Sequence, residues 1–363
     1  MTRNVAFISV LPSPYQRALF HALAQRPEIK LRVFYLEASA PDSPWPEKPL
    51  ASYEEIMRGS WFALGRARFH YNWPLPDLRQ FDAVVLNIPV NAITAQWLMR
   101  FKLRARQPWI FWGERLRERT GWSRLLHDRL IKPLGGATAI AGVGTRAMED
   151  YSRRFPDTRH FSIPYYCDLQ PFMDTPRPMR NADETVFLFC GQMIERKGLD
   201  LLITAFERVL AGNGNARLLL VGREAELPQL FSNINPATRD RVTYAGFQPP
   251  DELPRFFAQA DVFVLPSRYE GWGVVVNQAI GAGLPVICSD AVGAGCDLVE
   301  EEKNGLKFKT GDVLDLAEKM RRFVTEPSLS AKLGATSKRI AQDWLPEKGA
   351  EKWIKLFQTI AAK

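Results

Sequence analysis

Strand-length apolar runs alternate with amphipathic, helix-length segments along most of this chain, and one proline-rich polar stretch interrupts the alternation. Parallel strands are buried on both faces, so they read as short unbroken apolar runs separated by crossover helices. The pattern therefore predicts an α/β protein with parallel sheets. In the first half, strands are expected at residues 5–10, 31–36, 83–86, 109–112 and 139–143. Helices are expected at 14–25, with proline at the first turn, and at 91–106, 123–134 and 145–154. The second half predicts strands at 186–190, 218–221, 242–245, 262–265 and 285–289. Its helices are expected at 199–210, around 254–259, and at 273–281, 314–324 and 347–361.

The break, from Pro171 through Pro176 and Pro178 to Asp183, reads as a linker. A chain of 363 residues exceeds one ordinary domain. The expected organisation is a domain over 1–170, a linker over 171–184, a second domain over 185–342 and a closing segment over 343–363. Two such halves would place the carboxyl ends of their strands across a cleft, where small ligands bind preferentially.

Charge is uneven between the halves. Residues 1–170 carry 24 Lys and Arg against 15 Asp and Glu, whereas residues 171–363 carry 24 against 25. The excess is densest at Arg100, Lys102, Arg104, Arg106, Arg115, Arg117, Arg119, Arg124, Arg129 and Lys132. Trp97, Phe101, Trp109, Trp112 and Trp122 are interleaved with these cations. A solvated basic surface and a peripheral contact with an anionic membrane both fit that composition. Nucleic acid is not expected as a partner, because no RNA- or DNA-binding module accompanies the charge. No apolar run approaches the ~20 residues that span a bilayer. The apolar start is broken by Pro12 and Pro14, too early for a secretory signal, so a cytoplasmic location is expected, either free or peripheral on the cytoplasmic face of the membrane. Cys167, Cys190, Cys288 and Cys296 are scattered and read as reduced thiols, and no metal-ligand spacing occurs.

Two segments carry candidate chemistry. In the first, a strand ends at Pro266, a loop carries Glu270, and Gly271 and Gly273 open a helix. The free amides of Gly273, Val274 and Val275 would seat a phosphate. Beside such an anion seat, Glu270 suits sugar hydroxyls, with Gly271 and Trp272 alongside; Gln278 lies one turn into the helix. Glycines that merely relieve packing, with Glu270 as a helix cap, explain the same residues. In the second segment, a strand feeds Gly191 and Gln192, and Arg196 and Lys197 stand just before a helix. Two adjacent cations there suit a diphosphate leaving group, or form an ordinary exposed basic pair.

With the 260–267 stretch between them, these segments resemble retaining glycosyltransferase family 4, of the GT-B fold. The resemblance covers nearly all of residues 185–310 and extends more weakly beyond. It implies two Rossmann-like domains facing across a cleft, with the last helix, bearing Trp353, crossing back to the first domain. It implies a donor site marked by two glutamates eight positions apart: Glu270, on the donor sugar, and a second position filled here by Gln278, expected on the nucleotide ribose. Lys197 matches the family's phosphate lysine. Gln192 stands where many relatives carry arginine, and Arg196 could replace that charge. A glycine-rich loop after the first strand is missing; Ser13 and Arg17 are the groups there that could reach the phosphate. Glu114 falls where the family places an acceptor-side histidine, and could orient the acceptor or take up its proton; an ion pair with Arg115 or Arg117 is the structural alternative.

The function so implied is transfer of a sugar from a nucleotide-diphosphate sugar to a hydroxyl of a glycan or lipid-linked acceptor, with retention and without a metal. No cofactor is expected beyond that co-substrate. A non-catalytic nucleotide-sugar-binding protein and a GT-B nucleotide-sugar epimerase are the alternatives.

Overall fold

The computed structural model describes residues 2–39, 48–65, 67–103, 107–117, 119–179, 184–212, 214–232 and 234–361. Arg104, Arg106 and Asp183 lie outside them. The chain divides into two compact units. One comprises Met1–Tyr166 and Pro346–Lys363, the other Cys167–Leu345.

The first unit contains β1 (Arg3–Ser9), β2 (Ile29–Tyr35), β3 (Glu54–Ile56), β4 (Gly59–Leu64), β5 (Ala67–Asn72), β6 (Ala83–Asn87), β7 (Trp109–Gly113), β8 (Ala139–Gly142) and β9 (Arg159–Ser162). Seven of these form a parallel sheet in the order β3-β2-β1-β6-β7-β8-β9, while β4 and β5 make a separate antiparallel hairpin. Phe7 pairs in register with Val33 on one side and Val85 on the other, which leaves β1 central and buried from Val5 to Ser9. The helix Pro346–Ala361 completes this core. Trp353 is fully buried and packs edge-on against Phe7 and Trp112, with ring centroids at 5.0 and 5.3 Å.

The second unit contains β10 (Thr185–Cys190), β11 (Ala216–Val221), β12 (Val242–Tyr244), β13 (Val262–Leu265), β14 (Val286–Ser289) and β15 (Gly305–Phe308). They form one parallel sheet in the order β12-β11-β10-β13-β14-β15. Both sheets run outward from their first strand in one direction, then return to its other side. That is the doubly wound, Rossmann-like arrangement.

Several expectations need correction. The segment expected as a linker begins with a short helix, Gln170–Asp174, whose Phe172 is buried in the second unit against Phe257. The expected helix 91–106 is a short helix, Ile93–Trp97, continued by one π-helical turn, Leu98–Lys102. Trp109 and Trp112, grouped above with surface aromatics, sit on the central strand β7 at 2% and 1% exposure, because that strand is covered on both faces.

Candidate active site

In a doubly wound sheet, the loops that leave the two strands flanking the order reversal diverge, and a crevice opens at their carboxyl ends. In the second unit the reversal lies between β10 and β13. These are the strands that feed the two segments singled out above.

After β10 the chain makes a tight turn, Glu195–Lys197, and enters the helix Leu199–Ala211 through Gly198 in the left-handed region, at φ 71°. A Cβ at this position would stand 2.1 Å from the carbonyl oxygen of Pro266, at the end of β13. Glycine is thus demanded both by the backbone angle and by the closeness of the two loops. Arg268 fastens them together. Its amide donates to the carbonyl of Arg196 at 2.8 Å, and its guanidinium donates to the Glu195 carbonyl and, in a fork, to both Asp200 oxygens at 2.7 and 2.6 Å. Burial opposes ionisation of Asp200, but the hydrogen bonds and charge of Arg268 outweigh it and hold the carboxyl below its usual range.

Held this way, Lys197 and Arg196 converge on Glu270. The Lys197 ammonium makes a short ion pair with the Glu270 carboxylate, Arg196 Nη1 lies 3.5 Å from it, and Ser267 Oγ lies 3.4 Å from it. Arg196 also donates to the Tyr269 carbonyl at 3.0 Å. Lys197 and Glu270 are each only 13% exposed, so the pair is largely withdrawn from water. The carboxylate does not cap the following helix; no side-chain hydrogen bond caps that helix start.

Gly273 adopts φ 95°, and a Cβ there would press on Glu270 Cγ at 3.0 Å. The helix Val275–Gly281 follows; Val276 donates to the Gly273 carbonyl at 2.9 Å. The amides of Gly273, Val274 and Val275 come before the helical ladder, and their residues are partly exposed. Gln278 is buried one turn further in. Gln192 is exposed just beyond β10, next to Gly191. Gly271 is buried, its carbonyl facing the start of the helix Gly293–Leu298. Trp272 corrects the expectation. Its indole is 1% exposed, stacked on Trp344 at 5.8 Å, and donates to Asn277 Oδ1 at 2.9 Å, so the side chain is core and only its backbone borders the loop.

In the first unit, Arg17 is also corrected. Its guanidinium forms a fork with Glu54, whose side chain is fully buried, at 2.9 and 2.6 Å, and donates to the Pro49 carbonyl. Tyr35 and the Ala51 amide satisfy the same carboxylate. A cation already neutralised by a buried partner is not available to a phosphate. Ser13 is the N-cap of the helix Pro14–Ala24, with its hydroxyl not engaged in capping. Glu114 is exposed just past β7 and accepts a hydrogen bond from Tyr165, while Arg115 turns to Asp150 at 3.6 Å. Burial and the adjacent carboxylate push the Tyr165 phenol well above its usual range. Tyr165 also meets Asn87, which joins Ser9 and Gln16 in a polar network where this sheet reverses, between β1 and β6. Arg268, Asp200, Ser267, Tyr165 and Asn87 escaped the sequence reading. Nothing in a sequence links Arg268 to Asp200, 68 positions away; strand order alone brings them together.

Residues 175–340 match the family described as "Glycosyl transferases group 1". Over this segment the chain is similar to that family. The matched segment contains Lys197, Glu270 and Gln278, together with every contact just described around Glu270. The chain is 26% identical over 243 residues to the GDP-mannose-dependent alpha-(1-6)-phosphatidylinositol monomannoside mannosyltransferase of Mycobacterium tuberculosis. That match covers 62% of this chain and 63% of the relative, so the chain spans less than two thirds of that protein's length. It is 27% identical over 269 residues to the lipopolysaccharide core biosynthesis mannosyltransferase LpsB of Rhizobium meliloti, covering 69% and 72%. Sucrose-phosphate synthase from Thermosynechococcus elongatus superimposes with a TM-score of 0.76 over 99% of both chains at 21% identity, which establishes the GT-B fold class for this chain.

Proposed function

We propose that this protein transfers a sugar from a nucleotide-diphosphate sugar to a hydroxyl of a glycan or lipid-linked acceptor. The observation that carries this reading is the Lys197–Glu270–Arg196 cluster at the strand-order reversal of the second unit. Without a ligand, the carboxylate occupies both cations. A diphosphate carries more negative charge than one carboxylate and offers more acceptor oxygens, so it takes over Lys197 and Arg196 and adds the amides of residues 273–275. Glu270 is then released to accept hydrogen bonds from the sugar hydroxyls.

In the reaction, the bond from the anomeric carbon to the diphosphate oxygen breaks, and the acceptor oxygen bonds to that carbon on the same face, giving retention. The acceptor proton passes to the departing phosphate oxygen. Each well-placed donor on the leaving group contributes about 3 kcal/mol to the transition state. Two cations and a helix start supply what a divalent ion supplies elsewhere, which supports a metal-independent reaction. The names of both curated relatives, a phosphatidylinositol monomannoside and a lipopolysaccharide core enzyme, support an acceptor of this class. A membrane surface as partner, on the cytoplasmic side, is part of the same reading.

A thermal-shift screen against UDP-, GDP-, CMP- and TDP-sugars tests it, because a ligand bound only by the folded state raises its stability with the logarithm of concentration over Kd. One nucleotide series should stabilise the protein, and Lys197→Ala should remove the shift. Indifference to all of them would overturn the proposal.

A further inference from the structure

The helix Gly121–Ile131 in the first unit carries its apolar side chains on the outside. Trp122, Leu125 and Leu126 are 87%, 61% and 60% exposed. They stand at spacings of three and four and so share one face. Ile131, nine residues beyond Trp122 and therefore on the opposite face, is the buried anchor of the helix. An amphipathic helix normally turns its apolar stripe to the core. Here the stripe faces out.

A second exposed group adjoins this helix. Trp97 packs against both Trp73 and Phe101, with centroids at 6.4 Å for Trp73–Trp97 and 4.8 Å for Trp97–Phe101, and all three are exposed. The turn that bears Trp97 and Phe101 is tied to the outward-facing helix where Arg100 Nη2 donates to the Arg129 carbonyl at 3.1 Å and Gln96 donates to the Leu130 carbonyl at 2.9 Å. Around these apolar groups, Arg117, Arg124, Arg129 and Lys132 are exposed. From Arg115 to Lys132 the sequence has six Arg and Lys against two acids, Glu118 and Asp128, and Asp128 is already paired with Arg154 at 2.7 Å.

Resting on the transferase reading above, we propose that the outward face of Gly121–Ile131 and the Trp73–Trp97–Phe101 group dock this protein onto a bilayer surface bearing anionic lipid headgroups. The chemistry of the face selects that occupant. Tryptophan and leucine side chains that project from a helix match the boundary between headgroups and acyl chains, and flanking arginines match phosphate and other anionic headgroups.

The test uses the full chain and vesicles of phosphatidylcholine alone or mixed equally with phosphatidylglycerol, sedimented at about 0.1 M and about 1 M salt, which the Debye length separates. Binding to the mixed vesicles is expected, weakening at high salt, with little binding to neutral vesicles. Arg129→Glu with Lys132→Glu should lower the partition coefficient at least tenfold, since each surface cation adds roughly fivefold. Trp122→Glu with Leu125→Glu and Leu126→Glu should lower it by about a hundredfold or more, with an unchanged thermal midpoint showing that the exposed substitutions leave the fold intact. Absence of binding to anionic vesicles, or equal binding by the triple variant, overturns the proposal. So does self-association without lipid that the triple variant abolishes, because a second copy then covers the face. Titration of the same preparations with nucleoside diphosphate keeps the two readings apart. Nucleotide binding without vesicle binding defeats the docking face alone, and the converse defeats the transferase reading.

Discussion

Glu270 serves two partners in succession in this account, which makes its substitution informative. In the unliganded protein it neutralises Lys197 and Arg196; in the proposed reaction it turns to the sugar once donor binds. Glu270→Ala should therefore lower kcat for transfer by at least about a hundredfold. The same variant should bind free nucleoside diphosphate at least as tightly as wild type by calorimetry, because the competing carboxylate is gone. Weaker diphosphate binding would contradict the exchange. Arg17 gives the opposite case. Arg17→Ala strands a buried carboxylate and should cost about 3 kcal/mol in urea unfolding, with donor affinity unchanged. Burial pushes Glu54 towards the neutral form, but Arg17, the Ala51 amide and Tyr35 overcome it and leave its folded pKa lowered. The stability so gained is complete above the ordinary carboxylate range and disappears as pH falls through that lowered value. Wild type should lose stability on acidification over that interval, and Arg17→Ala should lose less.

Among elements, the fastening of the two site loops by Arg268 is the one whose loss should be visible in kinetics. Arg268→Ala leaves Lys197 and Glu270 in the sequence but frees the turn that aims them. The donor KM should rise about tenfold, with kcat falling less, since small misplacements of binding groups weaken positioning first. A kcat loss with an unchanged KM would assign Arg268 elsewhere. In the first unit, Trp353→Ala opens a cavity beside Phe7 and Trp112 and should cost about 3–5 kcal/mol, read as earlier urea unfolding of that unit. The central strands were legible because burial on both faces leaves an unmistakable apolar run, as in β1, β7 and β13. The edge strands β3 and β9, and the hairpin of β4 and β5, were not, because a strand covered on fewer faces keeps polar residues and loses the signal. Lys197 and Glu270 were legible from their places at strand ends. Their pairing was not, nor was the pairing of Arg17 with Glu54, because contacts 73 and 37 residues apart depend on strand order and not on local pattern.

At the scale of the whole molecule, the chain combines two doubly wound sheets with a set of residues that suits departure of a diphosphate. If cations and helix amides do the work of a divalent ion, excess EDTA should change the transfer rate by less than about twofold, and a strict metal requirement would contradict that part of the account. The central claim is that the charge released on glycosyl cleavage settles on Lys197, Arg196 and the amides after Gly273. A crystal structure with intact sugar nucleotide tests it most directly. The account predicts the diphosphate against the Lys197 ammonium and those amides, with Glu270 turned to the sugar hydroxyls; a diphosphate bound elsewhere, with the Lys197–Glu270 pair still closed, would contradict it.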